Sequence, residues 1–198
     1  MRKRMGMLVL AAGLAACSNE EAAGGLMIEP KELDQDEQAL VASMPVDVFQ
    51  AYELNGPLPE DAVIKLVLEH YVNGEEMDPV LMAHFSGAEE LNDALVSFAK
   101  SPDIEGNTVF VGGGPSGNVM TIMETGMNTG GATFGDFVTG EMVLQLEEPA
   151  YTGYYAMESG NRIDAGSFLT ESNELALPAI QQFEHFYAMT VTITEEAP

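Results

Sequence analysis

The sequence predicts an α+β protein, with an N-terminal helical layer over residues 30–103 packed on a C-terminal antiparallel β-sheet over residues 104–198. Three observations point to it. Composition shifts near residue 103, from helix formers to a stretch that holds most of the glycines, threonines and tyrosines. In the first part, Leu91, Ala94, Leu95 and Phe98 stand at i, i+3, i+4 and i+7, one face of a helix. Near the C-terminus, Tyr187, Met189, Val191 and Ile193 alternate with Ala188, Thr190, Thr192 and Thr194, the period of a half-buried strand.

Taken in order, Lys31–Ala42 reads as a first helix with acids in its opening turns, where the helix dipole favours them. Ser43 is placed to cap a second helix that carries Pro45 in its first turn and stops at Asn55-Gly56. Pro59-Glu60-Asp61 opens a third, with Val63, Ile64, Val67, Leu68 and Tyr71 apolar and Asn73-Gly74 as its stop. Asp78-Pro79 opens a short fourth. Ser86-Gly87-Ala88-Glu89 has the pattern of a capping box for a fifth. Beyond residue 103, strands are expected at Thr108–Val111, Asn118–Glu124, Phe137–Leu146, Tyr151–Glu158, Ile163–Leu169 and the alternating C-terminal run, with glycine-rich turns between them. Leu175–Phe183 reads as a short helix with Pro178 in its first turn.

No spacing assembles a known chemistry, so no catalytic residue and no cofactor are assigned. His70, His84 and His185 lie far apart and form no close metal pair; a zinc site would need them to converge in space. Ser116, in GGGPSGN, lacks the spacing of a nucleophile elbow, and the glycine run lacks the Lys-Ser/Thr of a phosphate loop. Asp34-Gln35-Asp36-Glu37 contains a DxD but not the loop glycine or terminal Glu spacing of an EF-hand, and reads as helix-start acidity. Met120, Met123 and Met127 offer soft thioethers for Cu(I), yet in a strand Met120 and Met123 face opposite sides and fill a core. Tyr151, Tyr154 and Tyr155 would stack on a sugar or peptide if exposed on one face, and otherwise line a partly buried sheet.

The first seventeen residues carry a different signal. Arg2, Lys3 and Arg4 form a basic start, Met5–Ala12 a short apolar core, and Leu14-Ala15-Ala16-Cys17 a small-residue cleavage motif ending in the only cysteine. This arrangement resembles the signal peptide and lipobox of bacterial lipoproteins. The resemblance implies that residues 1–16 are removed and that Cys17 takes a diacylglycerol and becomes the lipid-bearing N-terminus. In that class an Asp after the cysteine retains the protein at the inner membrane, so Ser18 implies the outer membrane, facing the periplasm. Residues 17–29 then form a lipidated tether, with SNEEAAGG small, polar and acidic, and residues 30–198 a single domain.

Charge limits the partners. Removing the leader leaves Lys31, Lys65, Lys100 and Arg162 against all 32 acidic residues, a net of −28. Such a chain repels nucleic acid and anionic headgroups, so the lipid anchors it without polybasic help. The lipidated cysteine leaves no thiol for an intrachain disulfide. The expected function is a lipid-anchored periplasmic binding or structural protein of the outer membrane, with another envelope protein as partner. The alternatives are an envelope hydrolase whose site forms only in the fold and a calcium or soft-metal binder.

Overall fold

Strand pairing, not helix packing, organises the first hundred residues. The computed structural model describes residues 25–103, 105, 107–123, 131–158 and 168–195. Their elements are β1 (Met27–Pro30), α1 (Gln35–Ser43), β2 (Val48–Pro57), β3 (Val63–Val72), β4 (Glu75–Phe85), β5 (Glu90–Pro102), β6 (Thr108–Gly114), β7 (Gly117–Met123), β8 (Gly131–Asp136), β9 (Met142–Val143), β10 (Ala150–Glu158), α2 (Leu177–Ile180) and β11 (His185–Thr194). They build two antiparallel sheets, a six-stranded one ordered β7-β6-β5-β2-β1-β9 and a five-stranded one ordered β4-β3-β11-β10-β8.

The helical layer expected over 30–103 is therefore overturned. Of its five helices only the first exists, as α1. There Asp34 caps the helix, accepting from the N–H groups of Asp36 and Glu37, while Glu37 reaches back to the Asp34 N–H. The other four segments became β2, β3, β4 and β5. The capping-box pattern at Ser86–Glu89 lies in the connection between β4 and β5.

Two local features explain the misreading. Asn73-Gly74 resembles a helix stop, but both residues sit at positive φ, 51° and 82°, and join Val72 to its partner Glu75 in a two-residue hairpin. That is the geometry Asn-Gly favours between two strands. In β5 the helical spacing comes from a bulge. The pairing with β2 slips between Leu54 and Gly56, and Asp93 takes φ 51° with its N–H donated to the Asn55 side chain. Leu91 and Ala94 thus both pack against the core, followed by Val96 and Phe98 at period 2, and the run imitates i, i+3. Leu95, which a helix would have buried, is 44% exposed.

The second part follows its pattern more closely. The strands expected at 108–111, 118–124 and 151–158 are β6, β7 and β10, and the alternating C-terminal run is β11. Phe137–Leu146 is not one strand: Phe137 and Val138 donate to the Thr152 carbonyl, Met142–Val143 pairs at the edge of the other sheet, and Leu146 makes an isolated bridge to Ile193. Most of Ile163–Leu169 lies outside the described residues. The glycine run is strand rather than hairpin connection, since Gly112, Gly113 and Gly114 belong to β6 and the turn is Pro115-Ser116. Gly114 is required there, because a Cβ would collide with the Phe85 ring arriving from the opposite sheet.

The two sheets face each other across one core. Ile28, Tyr52, Leu54, Val96, Phe98 and Phe110 from the six-stranded sheet meet Ile64, Leu66, Leu68, Tyr187, Val191 and Ile193 from the other. The sheets are also tied by polar groups. The Gln50 amide donates to the Gly135 carbonyl at 2.7 Å and to Asp136 at 3.0 Å, and the Tyr52 hydroxyl lies 2.6 Å from Asp136 and 2.7 Å from the Thr152 carbonyl. Burial first, and then the Asp136 carboxylate, push the Tyr52 phenol well above its usual pKa.

Strand β11 is buried on both faces, where the sequence pattern expects one. On its outer face Phe186 and Ala188 lie under Phe168, Ile180 and Phe183, carried by the segment around α2. Pro178 stands in the first turn of α2, where its missing N–H costs nothing. The domain starts earlier than residue 30. Met27–Glu29, the end of the stretch expected as tether, pair with Asn55–Glu53 in the sheet.

Candidate functional site

Beyond Ala188 the outer face of β11 changes character. Thr190, Thr192 and Thr194 point to the side opposite Met189, Val191 and Ile193, and across the ladder they face Val67, Lys65 and Val63 of β3. All three threonines are buried, yet among the described residues no apolar segment covers them; they floor a groove of about 280 Å3. One wall is β4, through Glu76, Pro79 and Met82. The other is the chain entering β10, through Glu147 and Pro149. Strands bring these residues together from distant positions, and period-2 alternation sets the hydroxyls on one face.

Two of the groove's carboxylates are held in place. Glu147 sits at φ 61°, its N–H donates to the Ile193 carbonyl, and its carboxylate accepts from the Thr194 hydroxyl at 3.0 and 3.1 Å and from the Glu195 N–H at 2.9 Å. Glu69 accepts from the Tyr71 hydroxyl at 2.8 Å and the Tyr151 hydroxyl at 3.2 Å. Burial raises the pKa of Glu69, the two phenol bonds pull it back, and the Glu76 carboxylate adds to the rise. Burial likewise lifts Tyr71 and Tyr151, with the Glu69 charge next in weight. Three carboxylates therefore line the groove with one ammonium, Lys65. Lys31 is paired with Glu53 at 2.6 Å and Lys100 with Asp47 at 2.6 Å, whereas Lys65 makes no ion pair among the described residues. The arrangement offers hydroxyls, hydrogen-bond acceptors and both signs of charge to a ligand, with negative charge in excess.

The residues singled out in the sequence fall elsewhere. Leu14, Ala15, Ala16 and Cys17 lie outside the described residues, as does Met127. Met120 points outward at 62% exposure and Met123 inward against the core, on opposite faces of β7 as strand geometry requires. Ser116 occupies the exposed β6–β7 turn. Asp34 is the helix cap described above. Tyr151 and Tyr154 share the outer face, because β10 bulges between Tyr151 and Gly153, and Tyr155 takes the other. Tyr155 is buried in the core, Tyr154 stacks on Phe186 at 5.8 Å, and Tyr151 bonds Glu69.

The histidines separate as well. His84 lies opposite Lys65 on the outer face, while His70 and His185 meet on the inner face, with Nε2 of one 3.0 Å from Nδ1 of the other. Among the described residues no carboxylate hydrogen-bonds to His84 or His185, so the acid–base pair a hydrolase would need is not formed by them. Nor, among the described residues, does any group of three His, Cys, Asp or Glu gather at metal-binding distance. Sequence reasoning missed the groove, although its signal was present in Thr190-x-Thr192-x-Thr194, a row of hydroxyls at strand spacing. Comparisons of the chain with family models, curated proteins and solved structures gave no match.

Proposed function

We propose that this chain is a lipid-anchored binding protein of the bacterial outer membrane, facing the periplasm. Its working surface is the threonine-floored groove. Its ligand is an extended, net-cationic segment of another envelope protein. The observation that carries the reading is the groove itself: three buried hydroxyls beside Glu69, between walls bearing Glu76 and Glu147, with a single lysine. Extended peptide fits the shape, since hydroxyls at every second residue match the repeat of a strand laid along them. Net positive charge fits the excess of carboxylates and the overall acidity.

The anchoring rests on the lipobox. It is compatible with the start of β1 at Met27, ten residues after Cys17. At ~3.5 Å per residue that span reaches at most ~35 Å. Leu26 bonds Leu144, and Glu147 bonds Ile193, so the tether enters beside the Thr194 end of the groove. Among the described residues no helix is long and apolar enough to cross a membrane.

Crosslinking in native envelopes tests the reading. The lipidated wild type should capture one specific partner, and Glu76→Lys, at an exposed wall position, should lower its recovery at least tenfold. Equal recovery with the variant would remove the groove from the reading. Separately, Cys17→Ser should abolish labelled-palmitate incorporation and membrane partitioning; unchanged labelling would remove the anchor.

A further inference from the structure

We propose that His70 and His185 form a binding site for a soft monovalent metal ion, Cu(I) or its redox-inert analogue Ag(I), held between His70 Nε2 and His185 Nδ1. The site lies on the inner face at the end of β11 away from the tether, separate from the groove. The two nitrogens stand 3.0 Å apart. The rings are close to coplanar, 16° between planes with centroids 5.3 Å apart, so they meet side by side along the nitrogen–nitrogen line. An ion between them is two-coordinate and near linear, an arrangement Cu(I) and Ag(I) accept and Zn(II), which takes four ligands, does not.

The surroundings fit a soft ion. Met77 is the cross-strand partner of His70, and Met157 that of His185. Directly opposite residues share a face with Cβ atoms ~5 Å apart, so each histidine has a methionine beside it in the ladder, Met157 buried and Met77 48% exposed. Thioethers are good ligands for Cu(I), while hard cations take oxygen donors. The cradle is also built. His70 is buried and lies flat on Tyr187, with centroids 4.6 Å apart and planes 5° apart, and His185 stacks on the same ring at 6.2 Å. With metal–nitrogen bonds of ~2 Å the pair must open to ~4 Å. His185 is half-buried at the start of its strand and can give way, whereas His70 is fixed. The ring that donates its N–H to the other moves that proton to its second nitrogen on binding, so both lone pairs reach the ion with no net proton release.

The test titrates the full mature chain in detergent with Ag(I), and with Cu(I) against a chromophoric Cu(I) chelator without oxygen. Histidine 15N resonances are followed alongside. One equivalent should bind, shifting the His70 and His185 signals. His185→Ala should weaken binding at least tenfold, while Met120→Leu, on the opposite face of the other sheet, should leave it unchanged. Circular dichroism confirms that each variant is folded, and His185→Ala, at the half-buried position, carries the test if changes at His70 prevent folding. Absence of equimolar binding, retention of affinity in His185→Ala, or tighter binding of Zn(II) than of Cu(I) overturns the proposal.

Discussion

The two halves of β11 share one backbone and one sheet face, and they are buried in different ways. In the first half, Phe186 is enclosed by Phe168 at 5.4 Å, Phe183 at 5.8 Å, Tyr154 at 5.8 Å and Tyr71 at 6.5 Å. In the second half, Thr190, Thr192 and Thr194 are just as inaccessible, yet they floor a groove whose walls bear charge. The first half is covered because its outer side chains are apolar and an apolar segment gains by lying on them, ~2–3 kcal/mol for each large side chain fully buried. A row of hydroxyls offers no such gain, so the segment that returns through α2 stops short of it. Burial by itself thus does not separate structural from binding roles; the chemistry of the covering groups does.

Several changes put that contrast to the test. Phe186→Ala should cost most, about 3–5 kcal/mol in denaturant unfolding, because it empties the centre of the aromatic cluster. Partner capture at the groove should persist for whatever fraction stays folded. Ile180→Ala, which loosens the lid from α2, should cost about 2–4 kcal/mol by the same measurement. At the other end, Glu147→Ala removes the acceptor of the Thr194 hydroxyl and the Glu195 N–H, and the urea midpoint should report a loss of about 1.5 kcal/mol. Thr192→Val should be mildest, within about 1 kcal/mol of wild type. It should nevertheless lower partner capture severalfold. A Thr192→Val protein that loses several kcal/mol would mean that the threonine row is structural after all, and the contrast between the halves would fall.

The proposed roles of the two ends can be sharpened in the same way. His185→Ala acts at the covered end and should leave partner capture unchanged, while Glu76→Lys acts at the groove and should leave metal titration unchanged. Cross-effects in both directions would indicate one coupled site instead of two.

Much of the second part was legible. The alternation of Tyr187–Thr194, the strands at β6, β7 and β10, and the helix start at Pro178 are written in local periodicity and in proline's fixed geometry. The acidic start of α1 was legible from the helix dipole, although the helix was expected from Lys31 and begins at Gln35 with Asp34 as its cap. Residues 43–102 were not. Their Asn-Gly pairs serve as hairpin turn and bulge as readily as helix stops, and a single extra residue near Asp93 turned a strand repeat into a helical one. The β-branched run Val63–Val72 favoured a strand, but the third-helix reading weighed its apolar spacing above that propensity.

The sequence by itself determined which residues are apolar at each local period, the acidic start of α1, and the lipobox pattern on which the proposed anchor rests. Only the tertiary structure decided that 43–102 is sheet, because those strands draw their hydrogen bonds from remote partners: β2 from β5, and β3 from β11 more than a hundred residues away. The groove and the His70–His185 pair have the same origin. A ladder between distant segments sets the register, and register decides which side chains meet; no local pattern in a single chain carries that information.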